Sequence, residues 1–156
     1  MADDRSGYEL PLLLASAFRV LVDELHEELA RQGHPGVRPI HGFALQALGP
    51  DGASISELGR RLGVSKQAAA KTAVAIEGLG YASRLPHPLD KRAWVLVRTE
   101  RGKEMLRLSA AVFSQLRQRW AERLGADRVR ALEDDLQVVV TVAGGAKLGD
   151  LPGWLH

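Results

Sequence analysis

The chain has no cysteine among its 156 residues. Disulfides, thiolate metal sites, cysteine nucleophiles and thiol-based redox sensing are therefore excluded. Aromatic residues make up only 5%, so Leu, Val and Ala must carry the packing. No uninterrupted apolar run approaches the ~18 residues of a membrane span. The start MADDRSGYEL lacks the charge pattern of a signal peptide. The expectation is a soluble cytoplasmic protein. Five histidines stand at positions 26, 34, 41, 87 and 156, in neither H-x₃-H nor H-E-x-x-H spacing, so no metal site is expected. There is no Gly-rich phosphate loop and no G-x-S-x-G elbow, and no histidine with an acidic partner reads as a catalytic pair. Neither an enzyme nor a bound cofactor is expected.

What is present is a 46% hydrophobic chain of single-domain length, enough for a core rather than disorder. The net charge of +2 conceals an uneven distribution. Residues 54–103 hold ten Lys/Arg against four Asp/Glu, and the rest holds 11 against 15. A basic middle on an acidic body suits a polyanionic partner.

Helical periodicity runs through residues 8–32, where Leu10, Leu14, Ala17, Leu21, Leu25 and Leu29 recur at spacings of three and four. The segment GHPGVRP stops it. A second helix is expected over Ile40–Leu48. Ser54-Ile55-Ser56-Glu57 has the form of a capping box, opening a third helix with Ile55, Leu58 and Leu62 on one face. Gly59 shares that face and admits a close neighbour, and Gly63 ends the helix. Ser65 caps a fourth helix to about Leu79, with Ala69, Ala73 and Ile76 inward and Thr72 beside them. Two helices joined by a short Gly-containing turn form a helix-turn-helix. Tyr81–Leu85 and Arg92–Arg98, around a turn at Pro86–Lys91, read as a hairpin, which in this position is a wing. Thr99 caps a long helix over Glu100–Leu124, with Leu106, Phe113, Leu116, Trp120 and Leu124 as its stripe. A last helix covers about Asp127–Ala143, with Val129, Leu132, Leu136, Val139 and Val140 inward, before the Gly-rich tail Gly144–His156.

The fourth helix has the shape of a reading element. A major groove admits one helix, and small residues let it come close. Ser65 and the free N–H groups at the helix start can hold a phosphate. Lys66 and Lys71 can reach phosphates or guanine, and Gln67 can pair with adenine. Ala70 and Val74 can touch a thymine methyl. Ser54 at the third helix and Arg84 on the first wing strand join this set. At the wing tip, Lys91 and Arg92 are braced by Pro86 and Pro88. Asp90 is placed to orient the Arg92 guanidinium by a short ion pair, so that Arg92 enters a minor groove.

With those residues in place, SISELGRRLGVSKQAAAK and IEGLGYASRLPHPLDKRAWVLVRTERGKEML resemble the MarR family of winged-helix transcriptional regulators. The similarity is strongest over Ser54–Leu106, and its most specific part is Asp90-x-Arg92 followed by Thr99-Glu100-Arg101-Gly102. The implied fold is mainly α with a small β wing. It is a winged helix-turn-helix core with N- and C-terminal dimerisation helices: residues 1–38 form an N-terminal dimerisation helix and loop, 39–103 the DNA-binding region, and 104–156 the C-terminal dimerisation helices. The implied function is a homodimeric repressor on double-stranded DNA with a near-palindromic site. Two departures stand out. His87 occupies a place that is often acidic, making the charge of the wing tip pH-sensitive. Arg98 replaces an apolar strand residue, which means either a shifted ladder or a role in a pocket.

The resemblance also implies a small aromatic or anionic effector held between the dimer helices and the winged domain. Arg19, His26 and His41 are the candidate contacts, although His26 also reads as a solvated residue and His41 as a helix cap. Two other readings fit the sequence: a non-specific architectural DNA-binding protein, and a winged-helix module for protein association.

Overall fold

A computed structural model describes residues 6–143; residues 1–5 and the tail 144–156, with His156, lie outside the described residues. The order is α1 (Glu9–Arg31), α2 (Pro39–Leu48), α3 (Ile55–Leu62), α4 (Lys66–Gly78), β1 (Ala82–Pro86), β2 (Trp94–Arg98), α5 (Glu100–Leu124) and α6 (Ala126–Val142). The fold is mainly α with a small β wing, as the sequence implied. No described helix is long and apolar enough to cross a membrane.

The caps explain the boundaries. Ser54 Oγ accepts the Glu57 N–H at 3.2 Å, and Glu57 Oε2 accepts the Ser54 N–H at 2.9 Å. That reciprocal pair satisfies two donors at the start of α3. Thr99 Oγ1 accepts the Gly102 N–H at 3.1 Å and donates to the Gly80 carbonyl at 2.6 Å. The first wing strand is shifted by one residue from the expected Tyr81–Leu85, and the second begins two residues later than the expected Arg92. Tyr81 is buried below the sheet. Ahead of β2, Ala93 N–H donates to the Asp90 carbonyl at 3.0 Å, so this stretch closes the turn instead of extending the ladder.

A single core joins Leu25 and Leu29 of α1, Leu45 and Leu48 of α2, Leu58 and Leu62 of α3, Ala73 and Ile76 of α4, and Met105 and Leu116 of α5. Each fully buried leucine contributes roughly 1.5–3 kcal/mol. A third strand position is supplied by Ala53, whose N–H and carbonyl pair with Leu96 at 3.0 and 2.8 Å. Gly52 makes that approach possible: its φ is +80°, and a Cβ there would overlap the Leu96 carbonyl oxygen.

The apolar stripes are only partly used. On α1, Leu25 and Leu29 are buried, whereas Leu10 and Leu14 are exposed. On α5 the buried side is Met105, Val112 and Leu116, while Phe113 and Leu124 lie exposed. On α6 only Val129 is buried; Leu132, Leu136 and Val139 face outward. Spacing identifies an apolar face but not what covers it. Within the described chain these faces find too little to pack against.

Arg98 resolves the open question about β2. The ladder is regular, from Ala82 opposite Arg98 to Pro86 opposite Trp94. The guanidinium leaves the sheet and reaches the end of α2, donating Nε to the Leu45 carbonyl at 2.7 Å and Nη2 to the Gln46 carbonyl at 3.0 Å. Arg61 Nη1 donates to the next carbonyl, Ala47, at 2.8 Å. Two arginines thus bond carbonyls in the last turn of α2, of which Gln46 also accepts the Gly49 N–H at 3.1 Å.

Candidate nucleic-acid interface

The turn between α3 and α4 is tight because Gly63 takes a left-handed conformation at φ 66°. Val64 N–H returns to the Gly59 carbonyl at 2.9 Å. Ser65 Oγ then accepts the Ala68 N–H at 3.1 Å and starts α4. Ala69 sits fully buried against Gly59, where a Cβ would come within 3.3 Å of its methyl. The buried face of α4 is Ala69, Thr72, Ala73 and Ile76, as the periodicity predicts. Helical spacing therefore turns Lys66, Gln67, Lys71 and Val74 outward, all exposed, with Ala70 half-buried among them. Val74 is 63% exposed. Ser54 is half-buried and occupied in its capping box.

The wing places Lys91 and Arg92 on an exposed tip. One expectation needs correction. Asp90 Oδ1 accepts the backbone N–H of Arg92 at 3.0 Å; it does not pair with the guanidinium. The carboxylate is two residues away, close enough to accept from that N–H and close the turn, so the arginine head stays outside. Arg84 is not a free cation either: its Nε donates to Glu77 of α4 at 2.9 Å, tying wing to helix.

Elsewhere many cations are matched. Arg19, Arg31, Arg117, Arg119 and Arg130 each meet a carboxylate. Among the described residues, Lys66, Lys71, Lys91 and Arg92 form no such pair. The outer face of α4 and the wing tip thus keep uncompensated positive charge, which raises the local potential for an anion.

A model of the MarR family matches residues 36–93, from the loop before α2 to the wing tip. That segment is similar to the winged helix of this family. The rest of the chain has the same architecture as solved proteins of this kind. RV1404 from Mycobacterium tuberculosis superposes with a TM-score of 0.69 at 21% identity, over 91% of this chain and 97% of that one. A variant of MarR from E. coli complexed with operator DNA gives 0.66 at 24% identity, over 85% and 94%. The transcriptional repressor CouR, bound to a 23-mer DNA duplex, gives 0.66 at 24%, over 84% and 92%. At these identities the likeness is one of fold. No curated protein matches the chain.

A cavity of about 240 Å³ opens between α1, α2 and α5 of this MarR-type fold. Its wall is mostly apolar, with Val22, Leu25, Phe43, Leu106 and Phe113, and its polar lining includes His26, Arg38, Gln46 and Ser109. Of the three expected effector contacts, His26 lines it. Arg19 does not: it is exposed on α1 and lies 3.5 Å from Asp23. His41 is buried and absent from the wall. Its Nδ1 accepts the Arg38 N–H at 3.1 Å, so it caps α2. Burial, then the nearby Arg38 charge and then His26, hold the His41 imidazole below the usual histidine range. Arg38 stands one residue before a helix-opening proline, and that position was its only sequence signal.

The sequence also gave no sign of a second buried group. His34 from the α1–α2 loop stacks on Tyr81 at 5.6 Å, with Nδ1 3.1 Å from the phenol oxygen. The Arg101 guanidinium lies 5.3 Å over the Tyr81 ring and donates to the Gly33 and Leu79 carbonyls. Arg101 belongs to the Thr99–Gly102 run that carries much of the resemblance. Here it ties the α1–α2 loop to the root of the wing.

Proposed function

We propose that the protein is a homodimeric, sequence-specific DNA-binding regulator of transcription, acting as a repressor. The observation that carries this reading is the set of unpaired cations on the outer face of α4 and on the wing tip, beside a small-residue surface. In this reading Lys66, Gln67, Ala70, Lys71 and Val74 meet the major groove. Ser54, Ser65 and Arg84 lie at the phosphate backbone, and Asp90, Lys91 and Arg92 present the wing to the minor groove. The DNA-bound CouR and MarR neighbours favour the same mode of docking here.

Residues 1–38 and 104–156 serve as dimerisation arms around the 39–103 reading unit. Leu10, Leu12 and Leu13 on α1 are each more than 60% exposed, as are Val138, Val139 and Val142 on α6. Contiguous apolar surface of this kind favours burial against a partner. Two reading helices about 34–36 Å apart then fit successive major grooves of a near-palindromic site. The cavity takes a small, mostly apolar aromatic compound, with Arg38 suited to an anionic group and His26 beside it. Such a compound releases DNA only if it binds the released arrangement better than the DNA-bound one.

Selection from a random-sequence duplex pool, followed by titration at several salt concentrations, tests this. The expected result is a near-palindromic sequence preferred by ~10³-fold or more over random DNA, with a steep negative salt slope. Equal affinity for all duplexes would mean a non-specific architectural protein. No duplex binding even in dilute buffer would leave a protein-association module.

A further inference from the structure

The wing tip is held by a side chain the DNA reading does not use. His87 follows the last residue of β1 and is half-buried under the turn. Its Nδ1 accepts two backbone N–H groups, from Leu89 at 3.1 Å and Asp90 at 3.2 Å. Its own N–H donates to the Ala93 carbonyl at 2.9 Å, closing the loop on the far side. Asp90 then fixes the Arg92 N–H. The tip is thus a relay of short local bonds, from an imidazole nitrogen through Asp90 to the exposed arginine. Leu89, at the crest, is 92% exposed and makes no packing contribution that could order the loop instead.

We infer that His87 is a positioning residue for DNA binding: by accepting the Leu89 and Asp90 amides at Nδ1, it presets the loop that presents Lys91 and Arg92. This rests on the DNA reading above for its functional consequence. Only a bare Nδ1 can accept, so the ring carries its proton on Nε2. An ordered loop loses less conformational entropy when it docks. A loop without this acceptor must be ordered at the expense of binding.

The chemistry of the acceptor supplies a discriminating test. Asn Oδ1 is bonded to Cγ, as Nδ1 is in histidine, and can accept from backbone N–H groups two residues on. Gln Oε1 lies one bond further out, at the distance of the ring Nε2, and must fold back at an entropic cost to reach the same amides. His87→Asn should therefore keep the affinity of the parent for the duplex recovered by random-sequence selection. His87→Gln and His87→Ala should each weaken it by about three- to tenfold, which is the loss of roughly one hydrogen bond's worth of order. In the free protein, the Leu89 and Asp90 amide proton shifts should stay near their parental values in His87→Asn and move toward random-coil values in the other two.

If all three variants bind like the parent and keep those shifts, the inference is wrong. If all three bind equally weakly, the imidazole itself contacts DNA and the positioning role is wrong. A parent protein that recovers no duplex would refute the DNA reading instead, and the amide shifts alone would then decide whether His87 sets the loop.

Discussion

Replacing Arg98 by methionine removes the guanidinium while keeping most of the aliphatic stem. Two bonds to the last turn of α2 are lost, at 2.7 and 3.0 Å. Hydrogen bonds from charged donors are worth about 1.5–3 kcal/mol where water is kept out, and a cation at a helix C-terminus adds about 0.3–1 kcal/mol. Arg98 is only half-buried, so both carbonyls regain water after the change, which favours the low end. Arg61 remains on the neighbouring Ala47 carbonyl and keeps the helix end from fraying fully. The expected loss is about 1–2 kcal/mol, read as a lower urea midpoint with an unchanged m value at one protein concentration. Arg98→Lys should recover part of it, since an ammonium is a point charge that cannot bridge both carbonyls as the fork does. A methionine variant within about 0.3 kcal/mol of the parent, the usual scatter for non-interacting sites, would refute the capping role.

Lys66→Ala and Lys71→Ala should each weaken duplex binding and flatten its salt slope by about one if the ammonium meets a phosphate; titrations over a roughly sixfold range of salt concentration measure it. Burial holds the imidazoles of His26, His34 and His41 below the usual histidine range, helped at His34 by the Arg101 charge. The unfolded chain then binds protons more readily than the folded one. Stability should be flat above about pH 6.5 and fall as pH drops through the lowered folded values. Urea midpoints that stay level down to about pH 5 would contradict this. Gly102→Ala places a Cβ onto the Tyr81 carbonyl oxygen, a backbone atom that cannot swing aside. It should destabilise by about 1–3 kcal/mol although alanine is the better helix former, and a raised thermal midpoint would refute the close approach.

The helix-turn-helix was legible because its signals are local. Ser54 and Glu57, Gly63 and Ser65, and the small inner stripe of α4 each act within a few residues, and each holds in three dimensions. Glu100–Leu124 was legible to the residue because Thr99 and Gly125 mark its ends. What sequence did not reveal depends on contacts between distant positions. Arg98 reaches α2 across more than fifty residues, and His34 meets Tyr81 across 47. Arg38 and Phe43 line a cavity that only the packing of α1, α2 and α5 creates. The Asp90–Arg92 spacing was readable, but whether the carboxylate takes the side chain or the backbone N–H depends on the shape of the turn. Apolar periodicity likewise found the faces of α1 and α6 without telling which half the single chain leaves bare.

The last described helix has one buried side chain, Val129, and one cross-link to its neighbour, the two-bond contact between Arg117 and Glu133 at 2.6 and 2.7 Å. A seventeen-residue helix with so little tertiary packing is only marginally stable in water. If the proposed dimer forms, dilution should act on this end of the molecule as a denaturant does, and melting of the C-terminal arm would report how much of the protein has paired.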